Sequence, residues 1–452
     1  MRLSLREIEK GTGGKLFGAD AQIQSVTIDS RQISQNALYV AIKGDRFDGH
    51  GFCAAAAENG AVALMVEQKI ETDLPYVLVE STRQALLDIA KLHRQKHKEV
   101  KVVGLTGSVG KTTTKEMTYA VLAAQFNAIK TEGNLNNEIG MPKTLFRISD
   151  TTEAAVIEMG MNHFGEIARM TASCQPDIAI ITNIGVSHIE YLGSRDGILQ
   201  AKTEILQGMR PGAPLILNGD DDKLWGYKNP DYKQIYFAID NLNADVRAVE
   251  ICETRGETAF TVCFDGKTQA VRIPTIGKHN VYDALAAFAA GLQCDIPPET
   301  IAAGLQNFVP AGMRQRIRET GGITVIEDCY NASPDSQKAA LQVLCSLPAK
   351  RKIAVLGDML ELGDYAEKAH RAVGAYAAEQ QVDLLFCYGQ NAAFIAKEAE
   401  NSVKTFHFTG KQALTDTLLR EIQAGDAVLF KASRGMALEE VIEKLYGEWN
   451  KQ

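Results

Sequence analysis

The sequence predicts an α/β protein of three domains. A small α/β N-terminal domain comes first. A central domain follows, in which a parallel sheet bears a phosphate-binding loop and a smaller antiparallel sheet accompanies it. A Rossmann-like domain closes the chain. Three observations lead to this fold class. The chain has 452 residues, more than a single hydrophobic core normally serves. Short apolar runs alternate with helical patterns along most of its length, as in parallel sheets covered by helices. One glycine-rich loop stands between an apolar strand and a helix start, the setting of a phosphate site.

In the first segment, up to about Arg83, SVTID, ALYVAIKG and AVALMVE read as strands, and FCAAAAENG as a short helix ended by Gly60. STRQALLDIAKLHRQKH reads as a helix capped by Ser81 or Thr82. From there to about Met313 strands and helices alternate. AAVIEMG and DIAIITNIG are continuous apolar runs, as strands buried on both faces require. Between roughly Pro230 and Pro274 polar and apolar residues alternate with turn signals, which predicts antiparallel strands at the side. HNVYDALAAFAAGLQ is an alanine-rich helix. Beyond Arg314, the strands ITVIEDCY, KIAVLGD, DLLFCYG and DAVLFKAS are separated by helical stretches, which predicts a second doubly wound unit. The expected domains are therefore 1–83, 84–313 and 314–452.

Composition narrows the function classes. Hydrophobic residues are 45% of the chain and charged residues 23%, the balance of a soluble globular protein. A formal net charge of -8 argues against a nucleic-acid-binding surface, so any polyanion must be held by local basic groups. The N-terminus has charges in every apolar stretch, unlike a signal peptide. No apolar run approaches the ~20 residues of a membrane span. Eight cysteines (Cys53, Cys174, Cys252, Cys263, Cys294, Cys329, Cys345 and Cys387) lack metal-site spacing and read as buried free thiols of a cytoplasmic protein.

The chemistry starts at Thr106-Gly107-Ser108-Val109-Gly110-Lys111-Thr112-Thr113, between the strand VVGL and the helical run KEMTYAVLAA. Glycines let backbone N–H groups turn around phosphate oxygens, and the helix N-terminus adds its dipole. Lys111 would reach the β- and γ-phosphates, and the Thr112 hydroxyl would hold magnesium. The general pattern has glycine five residues before Gly110, where this chain has Leu105. The loop fits the shorter T-G-x-x-G-K-T form.

Phosphoryl transfer also needs hard oxygen ligands for cations. Glu158 ends the run AAVIE, and His188 follows IAIITNI, so both are delivered towards the C-terminal edge of a sheet. Lys202, in ILQAKTEIL, reads by itself as a solvated surface lysine. The stretch Gly133-Asn134-Leu135-Asn136-Asn137 is too rich in asparagine for a strand or helix. It is either a plain turn or a set of amides that bind phosphate or substrate.

Together, TGSVGKTTTKE, EGNLNNEIGMP, VIEMGMNHFGEI, ITNIGVSHIEYLGS, AKTEI, GKHNVYDALAA, EDCYNASPDS, GDMLELG and KASRGM resemble, in that order, the landmarks of the Mur ligases. The resemblance runs from DSRQI near the start to KASRGMALEEVI near the end. It implies a UDP-sugar-binding first domain, a central ATP-binding domain, and a third domain that binds the incoming amine and closes on ATP. NLNNEIG, DCYNASPDS and GDMLELG resemble the member that adds D-alanyl-D-alanine to a UDP-N-acetylmuramoyl tripeptide.

The same resemblance assigns roles. Glu158, His188 and Lys202 become magnesium ligands, with Lys202 carried as a carbamate, and they act with Lys111 as the catalytic set. Gly107, Ser108, Val109, Gly110, Lys111, Thr112 and Thr113 hold ATP phosphates. Asn280, beside His279, reads the adenine, while Arg314 and Asp328 contact the nucleotide from the third domain. Ser30, Arg31 and the loop Lys43–His50, with Lys43 and Arg46, correspond to the region holding the UDP-muramoyl peptide, and Asn134 and Asn137 are expected among the substrate-binding residues. Lys431, Ser433 and Arg434 correspond to the dipeptide side, and Tyr330 and Asn331 are expected among the substrate-binding residues. The implied partners are ATP, magnesium and the two substrates, bound by a monomer without nucleic acid.

The implied reaction activates the tripeptide carboxylate as an acyl phosphate, which the amine of D-alanyl-D-alanine then attacks. The phosphate loop and its carboxylate would also suit a sister ligase adding the third residue, a folylpolyglutamate synthase or a small-molecule kinase. A nucleotide switch that moves domains without catalysis is a further reading.

Overall fold

The computed structural model describes residues 1–44, 47–254, 256–310 and 312–449. Among them the strands form sheets of two, five, nine and six strands. The five-, nine- and six-stranded sheets follow one another along the chain as three α/β layers.

The inner strands of the three larger sheets are buried on both faces, and their alternate residues divide between two cores. In the first domain, Leu38, Val40, Ala63 and Met65 pack on one side, while Tyr39, Leu64 and Val66 pack on the other. In the central domain, Val103, Leu105, Val156, Ile178 and Ile180 face one core. Val102, Ala155, Ile157, Ala179 and Ile181 face the opposite one. In the third domain, Ala354, Leu356, Leu385 and Leu429 lie against Ile353, Val355, Phe386 and Phe430 across the sheet. Continuous apolar runs are what such strands need, since neither face meets water.

The strand Lys101–Thr106 is an interior strand of the nine-stranded sheet, third from one edge. It pairs in parallel with Ala154–Glu158 on one side and Ile178–Ile181 on the other. The strand order therefore diverges at the end of Lys101–Thr106, where open α/β sheets form a crevice. The antiparallel strands Val246–Thr254, Glu257–Phe264 and Lys267–Ile273 are the far edge of this same sheet. They join it through the pairs Phe237↔Val246 and Ala238↔Arg247.

The third sheet has two strands that the apolar pattern did not mark, Arg316–Thr320 and Lys404–Phe408. Both are edge strands with at most half-buried side chains, so their polar residues hide the strand signal. The first domain likewise contains the unmarked strands Lys15–Phe17 and Tyr76–Leu78, and the helix Leu5–Thr12.

The helix Thr82–Gln95, capped by the Ser81 side chain, joins the first two layers. Its Ala85, Leu86 and Ile89 enter a first-domain core, whereas Leu87 and Ala90 enter a central one. Near its end the buried Arg94 donates through Nε to the Cys174 carbonyl at 3.1 Å and pairs through Nη2 with Asp177 at 3.2 Å. All eight cysteines are free, five of them buried and Cys252 exposed. No helix among the described residues is long and apolar enough to cross a membrane.

Candidate active site

A cleft of about 600 Å³ opens where the three domains meet. Arg83 of the bridging helix, the phosphate loop, and Asp328 and Lys431 of the third domain all line it.

The loop's shape follows from its sequence. The strand Lys101–Thr106 ends and the helix Lys111–Ala123 begins within four residues, and Gly110 caps the helix with φ 81°. That left-handed backbone strains any residue with a Cβ. An added Cβ would also lie 2.5 Å from Asp283 Oδ1. At Gly107 a Cβ would collide with the Thr182 hydroxyl. Asn183 braces the turn, accepting from Val109 N–H at 2.9 Å and donating to the Val109 carbonyl at 3.1 Å. Lys111 folds back, donating to the carbonyls of Gly107 at 2.7 Å and Ser108 at 3.1 Å. Burial lowers its pKa to about 8, with Glu158 opposing the shift and Arg314 adding to it. Part of its side chain still reaches solvent.

Glu158 is delivered by the strand beside the loop and is 1% exposed. Its Oε1 accepts from Asn136 Nδ2 at 2.8 Å and from the Thr112 hydroxyl at 3.3 Å. Its Oε2 is buried with no hydrogen-bond donor, and its nearest cation is Lys115 Nζ at 3.7 Å. A buried carboxylate oxygen left without a donor is costly, and a divalent cation would satisfy it. Among the described residues no three His, Cys, Asp or Glu side chains form a ready metal site. The donor set fits a cation that completes its shell with phosphate oxygens and water, as magnesium does.

The surface reading of Lys202 is overturned. The residue lies at the end of the helix Arg195–Thr203 and is 2% exposed. Among the described residues no carboxylate pairs with it. Burial first, and the charge of Lys111 second, push its pKa well below the usual lysine range. A buried amine whose surroundings disfavour its proton is a nucleophile suited to carbon dioxide. The carbamate formed would be an anionic oxygen ligand, so these surroundings fit the modified residue.

His188 has left-handed backbone, φ 63°. Its Nδ1 lies 2.7 Å from Oε2 of Glu361, a third-domain residue, at ion-pair distance but without hydrogen-bond alignment. Asn280 is buried in the helix Lys278–Gln293, and its amide donates to the Ile276 carbonyl at 2.7 Å and to Gln315 Oε1 at 2.9 Å. His279 Nε2 meets the same Gln315 oxygen at 2.6 Å. Gln315 thus engages the Asn280 amide. The Arg314 guanidinium stacks over the Tyr330 ring at 4.2 Å. Lys431 Nζ pairs with Asp328 at 2.7 Å and donates to the Asn331 carbonyl at 3.1 Å. Asp283, 5% exposed, accepts from the Thr114 hydroxyl at 2.8 Å. Burial raises its pKa to about 7.

The cleft therefore gathers Ser108, Val109, Gly110, Lys111, Thr112, Thr113, Glu158, His188, Asn280, Arg314, Asp328, Asn137, Tyr330, Asn331 and Lys431. Gly107 turns the loop behind it. Asn134 is exposed outside the cleft wall. Ser30, Arg31 and Lys43 lie in the first domain away from the wall, with Arg31 held by Asp29 at 2.8 Å and Ser30 buried. Arg46 is outside the described residues. Ser433 is built into the third domain, its hydroxyl accepting from Leu360 N–H at 3.0 Å, and Arg434 pairs with Glu439 at 2.7 Å.

Sequence reasoning missed Arg83, Lys115, Asn183, Asp283 and Glu361. Asp283 lies in the GKHNVYDALAA motif and Glu361 in GDMLELG, so both could have been singled out there. Nothing in the spacing marked Arg83.

Comparison with known proteins gives a consistent result. Family models match residues 22–104 (Mur ligase family, catalytic domain), 105–291 (Mur ligase middle domain) and 313–434 (Mur ligase, glutamate ligase domain). The UDP-N-acetylmuramoyl-tripeptide--D-alanyl-D-alanine ligase of Bacillus subtilis is 40% identical, over 98% of this chain and 97% of its own. The Escherichia coli ligase of that name is 36% identical, over 98% of each chain. The crystal structure of MurF from Acinetobacter baumannii superposes with a TM-score of 0.93 at 32% identity, over 99% of each chain. MurF ligase from Thermotoga maritima, solved in complex with ADP, gives 0.86 at 28% identity, over 94% of this chain and 98% of that one.

Proposed function

The chain belongs to the Mur ligase family, and from that premise we propose that it joins D-alanyl-D-alanine to a UDP-N-acetylmuramoyl tripeptide. ATP is consumed, and the products are the UDP-muramoyl pentapeptide of peptidoglycan synthesis, ADP and phosphate. The observation that supports this most is the cleft, where a phosphate loop faces side chains from all three domains of one chain. A monomer working in the cytoplasm suffices for that arrangement. Residues 1–83 present the UDP-peptide, 84–313 the nucleotide and 314–452 the dipeptide.

A carboxylate and an ammonium do not condense in water, so the tripeptide carboxylate is first activated. One of its oxygens attacks the γ-phosphorus, the bond to the ADP oxygen breaks, and an acyl phosphate forms. The amine of the dipeptide then adds to the acyl carbon, loses a proton, and phosphate leaves. Lys111 exchanges its bonds to Gly107 and Ser108 for phosphate oxygens and spreads the charge of the transferring group. Thr112 and Glu158 would hold one magnesium ion, and His188 and carbamylated Lys202 a second. Magnesium held by these residues would supply positive charge that offsets the charge of the transferring phosphate. Asn280 gives up Gln315 to read adenine, and Arg314 and Asp328 approach the nucleotide from the third domain. Ser30, Arg31, Lys43 and the asparagine stretch flank the UDP-peptide. Tyr330, Asn331, Lys431, Ser433 and Arg434 lie on the dipeptide side. A closed cleft protects the acyl phosphate from water.

The test is isotopic. Tripeptide labelled with ¹⁸O in its terminal carboxylate should yield phosphate carrying one labelled oxygen, together with unlabelled ADP. Unlabelled phosphate would overturn the acyl-phosphate route.

A further inference from the structure

The motif GDMLELG follows the third-domain strand Arg351–Gly357 and approaches the central domain beside His188. Glu361 and His188 both have left-handed backbone, φ 62° and 63°. Such backbone is costly for residues with a Cβ and persists where its surroundings enforce it. Here two such residues meet each other across a domain boundary, with Nδ1 and Oε2 2.7 Å apart. Two residues on, Gly363 sits so close to the helix Ile189–Leu192 that an added Cβ would lie 3.1 Å from Glu190 Cγ. The third domain thus rests on the segment that presents His188.

We propose that Glu361 is a positioning residue, whose carboxylate, 2.7 Å from His188 Nδ1 and short of hydrogen-bond alignment here, takes up that bond as the domains seat and leaves Nε2 to the cleft. A ligating histidine commonly has its second nitrogen held by a carboxylate, which fixes tautomer and ring orientation. In this protein the carboxylate comes from another domain. Seating the third domain on the central one therefore completes the cation site, so cation binding and closure assist each other. The inference rests on the reading of His188 as a magnesium ligand.

Nucleotide binding measured without turnover provides the test. Calorimetric titrations of full-length protein with ADP, at a series of magnesium concentrations, compare wild type with Glu361→Ala, Glu361→Gln and His188→Ala. Glu361→Ala should need about 10–100-fold more magnesium for the same ADP affinity, while ADP binding without magnesium stays unchanged. Glu361→Gln keeps an acceptor oxygen and should recover most of the loss. The double variant should be no worse than His188→Ala alone. In turnover, kcat should fall with the KM for UDP-peptide unaltered. A wild-type magnesium requirement in Glu361→Ala, or additive losses in the double variant, would overturn the proposal. Should the alanine variant not fold, Glu361→Asp, with its carboxylate withdrawn by one methylene, carries the same expectation. If His188→Ala itself leaves the magnesium requirement unchanged, the ligand reading of His188 fails, whatever Glu361 does.

Discussion

Lys111 bonds to two carbonyls of its own loop, an arrangement that phosphate oxygens would replace. Burial lowers its pKa to about 8, so it gains from an anion more than an exposed lysine would. Lys111→Ala is expected to lower kcat roughly 10²–10³-fold with an unchanged thermal midpoint. Steady-state kinetics beside calorimetric melting checks this. Lys202 has the opposite need, since its amine offers magnesium no anionic oxygen until it is modified. Protein equilibrated with ¹³C-bicarbonate should show a carbamate carbon resonance that is missing from Lys202→Ala. Equal signals in both proteins would remove the carbamate from the account. Asp283 responds to pH. Its carboxyl is protonated in the fold up to about pH 7 but ionises near 4 when unfolded. The folded state therefore holds the extra proton in that window, and stability falls as pH rises from 4 to 7. The loss is on the order of 3–4 kcal/mol. Asp283→Asn should flatten this slope in urea denaturation followed at pH 5 and pH 8.

Among the elements, the helix Thr82–Gln95 ties two cores together and depends on one buried ion pair. Asp177 serves Arg94 and also accepts from Val102 N–H at 3.0 Å. Removing Arg94 would leave that carboxylate, 28% exposed, with the exposed Arg210 at 3.1 Å as its cation, and the Cys174 carbonyl without its donor. Arg94→Ala is therefore expected to cost about 1–3 kcal/mol, read as a lowered urea midpoint. A change below about 1 kcal/mol would mean that the helix is held by its apolar face alone. At this scale the sequence was informative wherever strands were buried on both faces, because runs such as AAVIE and IAII admit little else. Edge strands such as Lys404–Phe408 escaped it, since their exposed polar residues erase the pattern. The antiparallel strands were foreseen, but their continuity with the main sheet depends on two residue pairs that no local pattern reports.

For the whole molecule, loops of the nine- and six-stranded sheets line one cleft together with Arg83 of the bridging helix, and in the proposed function each domain brings a different chemical partner. Motif spacing exposed the phosphate loop, Glu158 and His188, because strand ends in α/β sheets point to a common crevice. It could not show that Lys202 is buried, that Glu361 meets His188, or that Arg83 enters the cleft. Those facts depend on how domains pack, and no periodicity within one element encodes them. The central claim is that hydrolysis of ATP is tied to amide formation between two substrates held by different domains. Phosphate release by the purified protein, with UDP-N-acetylmuramoyl tripeptide present and D-alanyl-D-alanine present or omitted, tests it directly. Release that requires the dipeptide, with a UDP-muramoyl pentapeptide formed in equal amount by mass spectrometry, is the predicted result. Release that ignores the dipeptide, or that responds only to a different amine, would contradict it.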